Sequence, residues 1–390
     1  MQHVGNRRTT ARLAVLAVAA TVLVAGCSDD DGSNDGDEKH RSPQSLSEGY
    51  SVRGALAEIP ASAVDDDVLV QTADLRAATE AAGLDVPTDG SREATSPWLS
   101  GLTDASSESP TPVFVPFGES FNLQAAAPEE FAELLGWSVL DVDSFVELSV
   151  PPGRFAVVTG DFDDDTLSSD LTEVGDGVVT DVEGEDFENH LDAVNAANRL
   201  GVPTRLARQG DHIALSPSTP AVESWLEGGD SLADDDSLAA VADALDDEGA
   251  ISAVLTRVEG GADPASAVLG SQASPEQLEA LNEQLEGSVP EDPFDAVGIG
   301  WSVDDGEAEV HVAYHFDSTD AARDGAEVLE KTYREGTSSV SRTPYSDYLD
   351  VEDVDADGPV VTVTVTPAEQ GRTSFLYQAL QQRELLFVSR

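Results

Sequence analysis

Cysteine is all but missing: Cys27 stands alone in 390 residues. A lone cysteine excludes an internal disulfide, a cysteine-based zinc cluster and a CxxC redox pair, so the fold must hold together by packing. Positive charge is scarce too. Lys39 and Lys331 are the only lysines, and 20 basic residues face 76 acidic ones, for a formal net charge of −56. Such a surface repels nucleic acid, whose binding rests on Lys and Arg neutralising phosphates. It also repels anionic lipid and wall polymers, apart from any anchor. Cations, basic proteins and neutral ligands are the partners that remain. Long apolar runs are absent as well. Leu13 to Ala25 is an unbroken run of thirteen residues, all apolar or small except Thr21. As a helix it spans about 20 Å, against a hydrocarbon core of about 30 Å. That is signal-peptide length, too short for a membrane span. No GxSxG, HExxH, Walker A or GxGxxG pattern occurs.

What is present begins with a core: 40% of residues are hydrophobic, so the chain is not disordered as a whole. Its many Asp and few Lys suit either a salt-tolerant surface, where carboxylates hold water, or an acidic surface from a high-GC genome.

Arg7, Arg8 and Arg12 precede the apolar run, and no acid occurs before Asp29. The run ends in Val24-Ala25-Gly26-Cys27, which resembles the lipobox of bacterial lipoproteins. The resemblance covers residues 1–27. It implies a signal peptide over 1–26, cleavage between Gly26 and Cys27, and a diacylglyceryl thioether on Cys27 with palmitate-type acyl chains. Two or more chains give a durable anchor where one is marginal. The alternative is an ordinary secretory signal with a chance cysteine. Arg7-Arg8 hints at twin-arginine export, but the apolar residues expected just after such a pair are missing, so the route stays open. Cleavage would take the charge from −56 to −59 by removing three arginines. Residues 27–49 then read as an acidic tether, with Asp29, Asp30, Asp31, Asp35, Asp37 and Glu38. Coil of about 21 residues reaches roughly 25 Å, and further when charged.

Beyond the tether, 68–84, 155–175 and 310–331 share one pattern: an apolar strand, an Asp near its end, then helical periodicity. Leu167, Leu171 and Val174 fall on one helix face in the second. Ala322, Ala326, Leu329 and Tyr333 do so in the third. Phe162-Asp163 and Phe316-Asp317 match, and the Asp suits a helix N-cap. Further helices are predicted over 128–136, 188–199, 219–227, 237–246, 274–286 and 372–384. Hairpins are predicted at Gln209-Gly210-Asp211 and Asp305-Gly306, and 360–366 alternates Val with Thr. The predicted fold is α+β: two related lobes, 50–258 and 259–390, of strand–helix units and antiparallel hairpins, with helices on one face of the sheets. The layout, with its acidic tether and GDFD-type strand end, resembles actinobacterial lipoproteins, a likeness that brings no activity with it.

Few residues suggest chemistry. His311 and His315 read as HxxxH, but in strand context they lie roughly 13 Å apart and cannot share a metal. They are expected to face solvent, and His190 and His212 to lie at the surface. Asp353, Asp355, Asp357 and Gly358 match the start of a calcium loop, though Thr364 stands where a bidentate Glu belongs. The competing reading is a hairpin turn at Asp357-Gly358 on an acidic surface. Asp161, Asp163, Asp164 and Asp165 could gather a cation, but helix capping explains them more simply. Trp98, Trp137, Trp225 and Trp301 are spread out, as core residues are. The sequence therefore predicts a lipid-anchored, extracytoplasmic envelope protein that binds a cationic or protein partner, or supports the envelope, without catalysis. No cofactor other than calcium is suggested. The alternatives are a substrate-binding lipoprotein of an importer, which needs a deep cleft between lobes, and a hydrolase, which needs a buried Ser, His and acid within hydrogen-bond reach.

Overall fold

The computed structural model describes residues 49–390 apart from 65–67, 105–110, 151–152, 199, 259–263, 270–272 and 286. The signal segment, Gly26, Cys27 and all but the last residue of the tether lie outside them. The strands are β1 Leu69–Asp74, β2 Val142–Val150, β3 Gly153–Gly160, β4 Thr172–Gly175, β5 Val178–Thr180, β6 Arg205–Gln209, β7 His212–Ser216, β8 Ser252–Arg257, β9 Phe294–Asp304, β10 Glu307–Phe316, β11 Leu349–Asp357 and β12 Val360–Pro367. The helices are α1 Val52–Ala57, α2 Leu75–Ala81, α3 Arg92–Leu102, α4 Glu119–Ala126, α5 Pro128–Leu135, α6 Thr219–Glu227, α7 Asp236–Asp247, α8 Pro264–Leu269, α9 Pro275–Gln284, α10 Thr319–Glu335 and α11 Phe375–Gln381.

All twelve strands join one antiparallel sheet in the order β11-β12-β10-β9-β8-β1-β2-β3-β7-β6-β5-β4. The α+β class is as the sequence predicts. The strand order repeats. From the centre outward one half reads β1-β2-β3-β7-β6 and the other β8-β9-β10-β12-β11. Each half begins with a helix, α1 or α7, leading into the central strand. The sequence places the join at 259–293, whereas the second copy of this order begins at α7. The two copies meet where β1 pairs with β8 along five residues, Gln71 opposite Val254.

Helices cover both faces of the sheet, where the sequence pattern predicts one. Val70, Val146, Val157, Leu255 and Ala313 pack with α1, α6 and α7. On the other face Phe145, Val158 and Ile213 pack with α2 to α5, and Val312, Tyr314 and Val363 with α10 and α11. The central strands are therefore apolar on both sides, as two-sided burial requires. Two glycines bring α7 close: a Cβ at Gly298 would lie 2.5 Å from Val241 and one at Gly300 3.0 Å from Leu245. All four tryptophans are buried.

Two predicted helices are absent. After β3 the chain makes a turn, in which Asp163 accepts from the Asp165 amide and Thr166, and Val174 joins strand β4. Asp163, Asp165 and Thr166 bond to one another, and Ser168 accepts from the Asp170 amide, local bonds that compete with helix. Residues 188–201 form a loop closed by the His190 amide donating to the Gly201 carbonyl at 3.2 Å, with a turn from the Asn198 amide to the Asn195 carbonyl. Asn favours such turns over helix interiors. The other units hold: Asp74 caps α2, accepting from the Ala77 amide at 2.8 Å, and Ser318 rather than Asp317 caps α10.

Candidate functional site

The pairing of β9, β10, β12 and β11 assembles a polar cluster beside the C-terminus of α7. His311 lies opposite Gly300 on one side and Thr364 on the other, and Thr364 lies opposite Asp353. Those three side chains form a row across three strands on the α7 face. His311 is 1% exposed, not solvent-facing as predicted, because the absence of side chains at Gly298 and Gly300 lets α7 settle over this face. Its Nε2 lies 2.7 Å from Ser302 Oγ and its Nδ1 3.1 Å from Thr364 Oγ1. Glu248, the C-cap of α7, brings a carboxylate oxygen to 3.6 Å from Nδ1, and Glu309 brings one to 3.8 Å from Nε2. Burial pushes the imidazole down to about 4. Glu248 itself is pushed up, first by burial and then by Glu309, Asp247, Asp353 and Asp355.

A serine hydroxyl on a histidine nitrogen, with carboxylates behind, has the parts of an acyl-transfer triad. Its surroundings oppose that chemistry. The transition state places negative charge on the substrate oxygen and needs donors aimed at it. Here the Glu248 and Glu309 carboxylates lie within 4 Å of the histidine, beside the negative C-terminal end of the α7 dipole. Ser302 is only 6% exposed, so no substrate carbonyl approaches it. The electrostatics suit attraction of cations instead.

The calcium candidates Asp353, Asp355 and Asp357 lie along β11, with Asp357 paired to Val360 beside Gly358, which turns the hairpin at φ 56°. Alternate strand residues stand about 7 Å apart, so the three carboxylates do not converge. Among the described residues no group of three or more His, Cys, Asp or Glu is arranged to hold a metal ion. Asp164 is paired with Arg208.

Two further polar clusters escaped sequence reasoning. His212 is 3% exposed, not a surface residue: its Nδ1 lies 2.9 Å from Asp211 and its Nε2 3.5 Å from Glu58, which accepts from Trp225 Nε1 at 2.9 Å. Burial pushes the Glu58 carboxyl up, against the pull of His212 and Trp225. Glu147, in the middle of β2, is wholly buried with its carboxylate on the first turn of α4, accepting from the Ser120 amide at 3.1 Å. A Cβ at Gly118 would lie 2.3 Å from that carboxylate, so glycine there admits it. Burial pushes Glu147 up to about 7. The only signal for it in the sequence is an acid inside an apolar run.

No family model matches the chain, and no curated protein matches it. A solved structure entitled "Structure of crystal form I of TP0453" is similar over 86% of this chain and 98% of that chain, at 9% identity and a TM-score of 0.34. A likeness at that score carries no argument about function.

Proposed function

We propose that the chain is a lipid-anchored protein of the extracytoplasmic membrane face, whose α+β body binds a partner and performs no catalysis. The observation that carries the anchor is Val24-Ala25-Gly26-Cys27 closing a thirteen-residue apolar run. The acidic tether behind it supports a body held off a membrane surface that its charge would repel. None of the described helices is long and apolar enough to cross a membrane. For the body, the carboxylates around Ser302 and His311 argue against acyl transfer and for attraction of positive charge. The continuous sheet argues against an importer's binding lobes, because the β1–β8 pairing leaves no hinge between its halves. Cys27→Ala tests the anchor. The variant leaves the membrane fraction and appears in the medium. If it stays membrane-bound, residues 13–25 are the anchor and the lipid reading fails.

A further inference from the structure

The first half of the sheet carries a cavity of about 290 Å³, set between the β2–β3 hairpin, the start of α6 and the turn at 61–63. Its floor is Leu148, Phe155 and Ala221, all buried on the face that α1, α6 and α7 cover. Phe187, 42% exposed, stands at its mouth with Ser62, Ser218 and Ser224. Those three hydroxyls make no hydrogen bond within the described residues, so each can donate to and accept from a molecule that enters. Phe187 has φ 62°, a conformation costly for a bulky residue and kept only where the surroundings impose it. Asp186 imposes it here. Its carboxylate accepts from Arg205 Nε at 2.9 Å, from the Thr219 amide at 2.7 Å and from the Thr219 hydroxyl at 2.8 Å.

In a chain with 76 acidic residues, no Asp or Glu lines this cavity. Arg154 is the one charged residue in its wall, and that charge is already paired. The Arg154 guanidinium lies 3.2 Å from Glu119 at the start of α4, a helix on the opposite face of the sheet. What Arg154 turns to the cavity wall is its carbonyl, which accepts from Ser216 Oγ at 2.8 Å. The interior therefore offers apolar surface and hydroxyls but no free charge. An ion of either sign would lose hydration there without a counter-charge, and a neutral molecule would not. An apolar cavity of about 150 Å³ admits benzene, and pockets for small ligands begin at about 300 Å³, so this one takes about two rings. Phe155 and Phe187 give those rings aromatic neighbours. We infer that the cavity binds a neutral small molecule of about two rings, its apolar body on Leu148 and Phe155 and a polar group at the serine hydroxyls of the mouth. The site is separate from the acidic cluster at Ser302 and His311 and independent of the lipid anchor, and so goes beyond the function proposed above.

The test uses the chain from Ser28 onward, which keeps the whole sheet and all its packed helices, in detergent-free buffer. The probe is naphthol, two fused rings bearing one hydroxyl, titrated calorimetrically at about 150 mM salt, where long-range charge is screened. Naphthalene sulfonate is the control, with the same rings and a negative charge. Naphthol binds saturably, one per chain, and the sulfonate binds about tenfold weaker or less well still. Ser224→Phe puts a ring into the cavity without removing a hydrogen bond, and weakens naphthol about tenfold while leaving the melting temperature in place. Phe187→Gly takes up φ 62° freely, so it keeps the path of the chain and loses only the ring. It also weakens naphthol, and it decides the matter if Ser224→Phe proves unstable. No saturable binding of naphthol overturns the inference. Equal or tighter binding of the sulfonate overturns it too, as does unchanged binding by Phe187→Gly and a folded Ser224→Phe. None of these failures touches the Cys27→Ala result, so the cavity and the anchor fail separately.

Discussion

Glu147 is an acid buried where water cannot solvate its charge. Its carboxyl is ordinarily near 4.5 and burial holds it at about 7 in the fold. Below about pH 4.5 both the folded and unfolded chains carry the proton. Between 4.5 and 7 only the folded chain keeps it, so this stabilisation is lost as pH rises through the folded value. Glu147→Gln keeps the shape and an acceptor for the Ser120 amide. It is expected to raise stability at pH 8 by about 1–3 kcal/mol and to change little at pH 4, measured by urea unfolding. Ser302→Ala has the opposite sign. It leaves His311 Nε2 buried without its hydroxyl and costs about 1–3 kcal/mol in the same measurement. Neither residue was legible in the sequence. Val146, Glu147 and Leu148 are all buried because helices cover both faces of β2, and strand alternation cannot distinguish inside from outside there. The same two-sided covering hides His311, which alternation alone would place in solvent.

At the scale of elements, helices with an apolar stripe and a clear start were legible. The pattern over 219–227 matches α6 residue for residue, and 128–136 and 237–246 match α5 and α7 to within a residue. The 188–199 segment carries helical spacing and makes a loop. Its Asn195 and Asn198 turn the chain, and Leu191 and Val194, which a packed helix would bury, are exposed. Strand positions were readable from β-branched runs, but their partners were not: nothing local tells β1 to pair with β8. Packing of α7 on the sheet depends on Gly298, and Gly298→Val tests it. The added side chain displaces Val241 and Leu245, and the loss is expected to be about 1–3 kcal/mol, with the His311 cluster opened to solvent. Faster hydrogen exchange at β9 and β10 would report that opening, and unchanged exchange would mean α7 is held from elsewhere.

For the molecule as a whole, charge dominates the response to conditions. Glu58, Asp74, Glu147, Asp246 and Glu248 are all pushed up, each chiefly by burial. Their stabilisation is present at low pH and lost on the way to neutrality. Asp186, Asp235 and Glu384 are held down by hydrogen bonds that outweigh their burial, so their contribution is lost as pH falls below about 4. The melting temperature is therefore expected to peak near about pH 5 and to decline on both sides. Sodium chloride at neutral pH should raise it by screening the −56 charge. Calcium at matched ionic strength should add nothing, because the β11 carboxylates do not converge. A calcium-specific rise would revive Asp353, Asp355 and Asp357 as ligands.

A lipid anchor requires Cys27 to be an attachment point rather than a spare thiol. The most direct measurement is the mass of the N-terminal proteolytic fragment from the membrane-associated protein. The expected fragment begins at Cys27 and is heavier than its peptide by a diacylglyceryl group, with or without an acyl chain on the new amino group. A fragment beginning at Met1, or one beginning at Cys27 with an unmodified thiol, would contradict it.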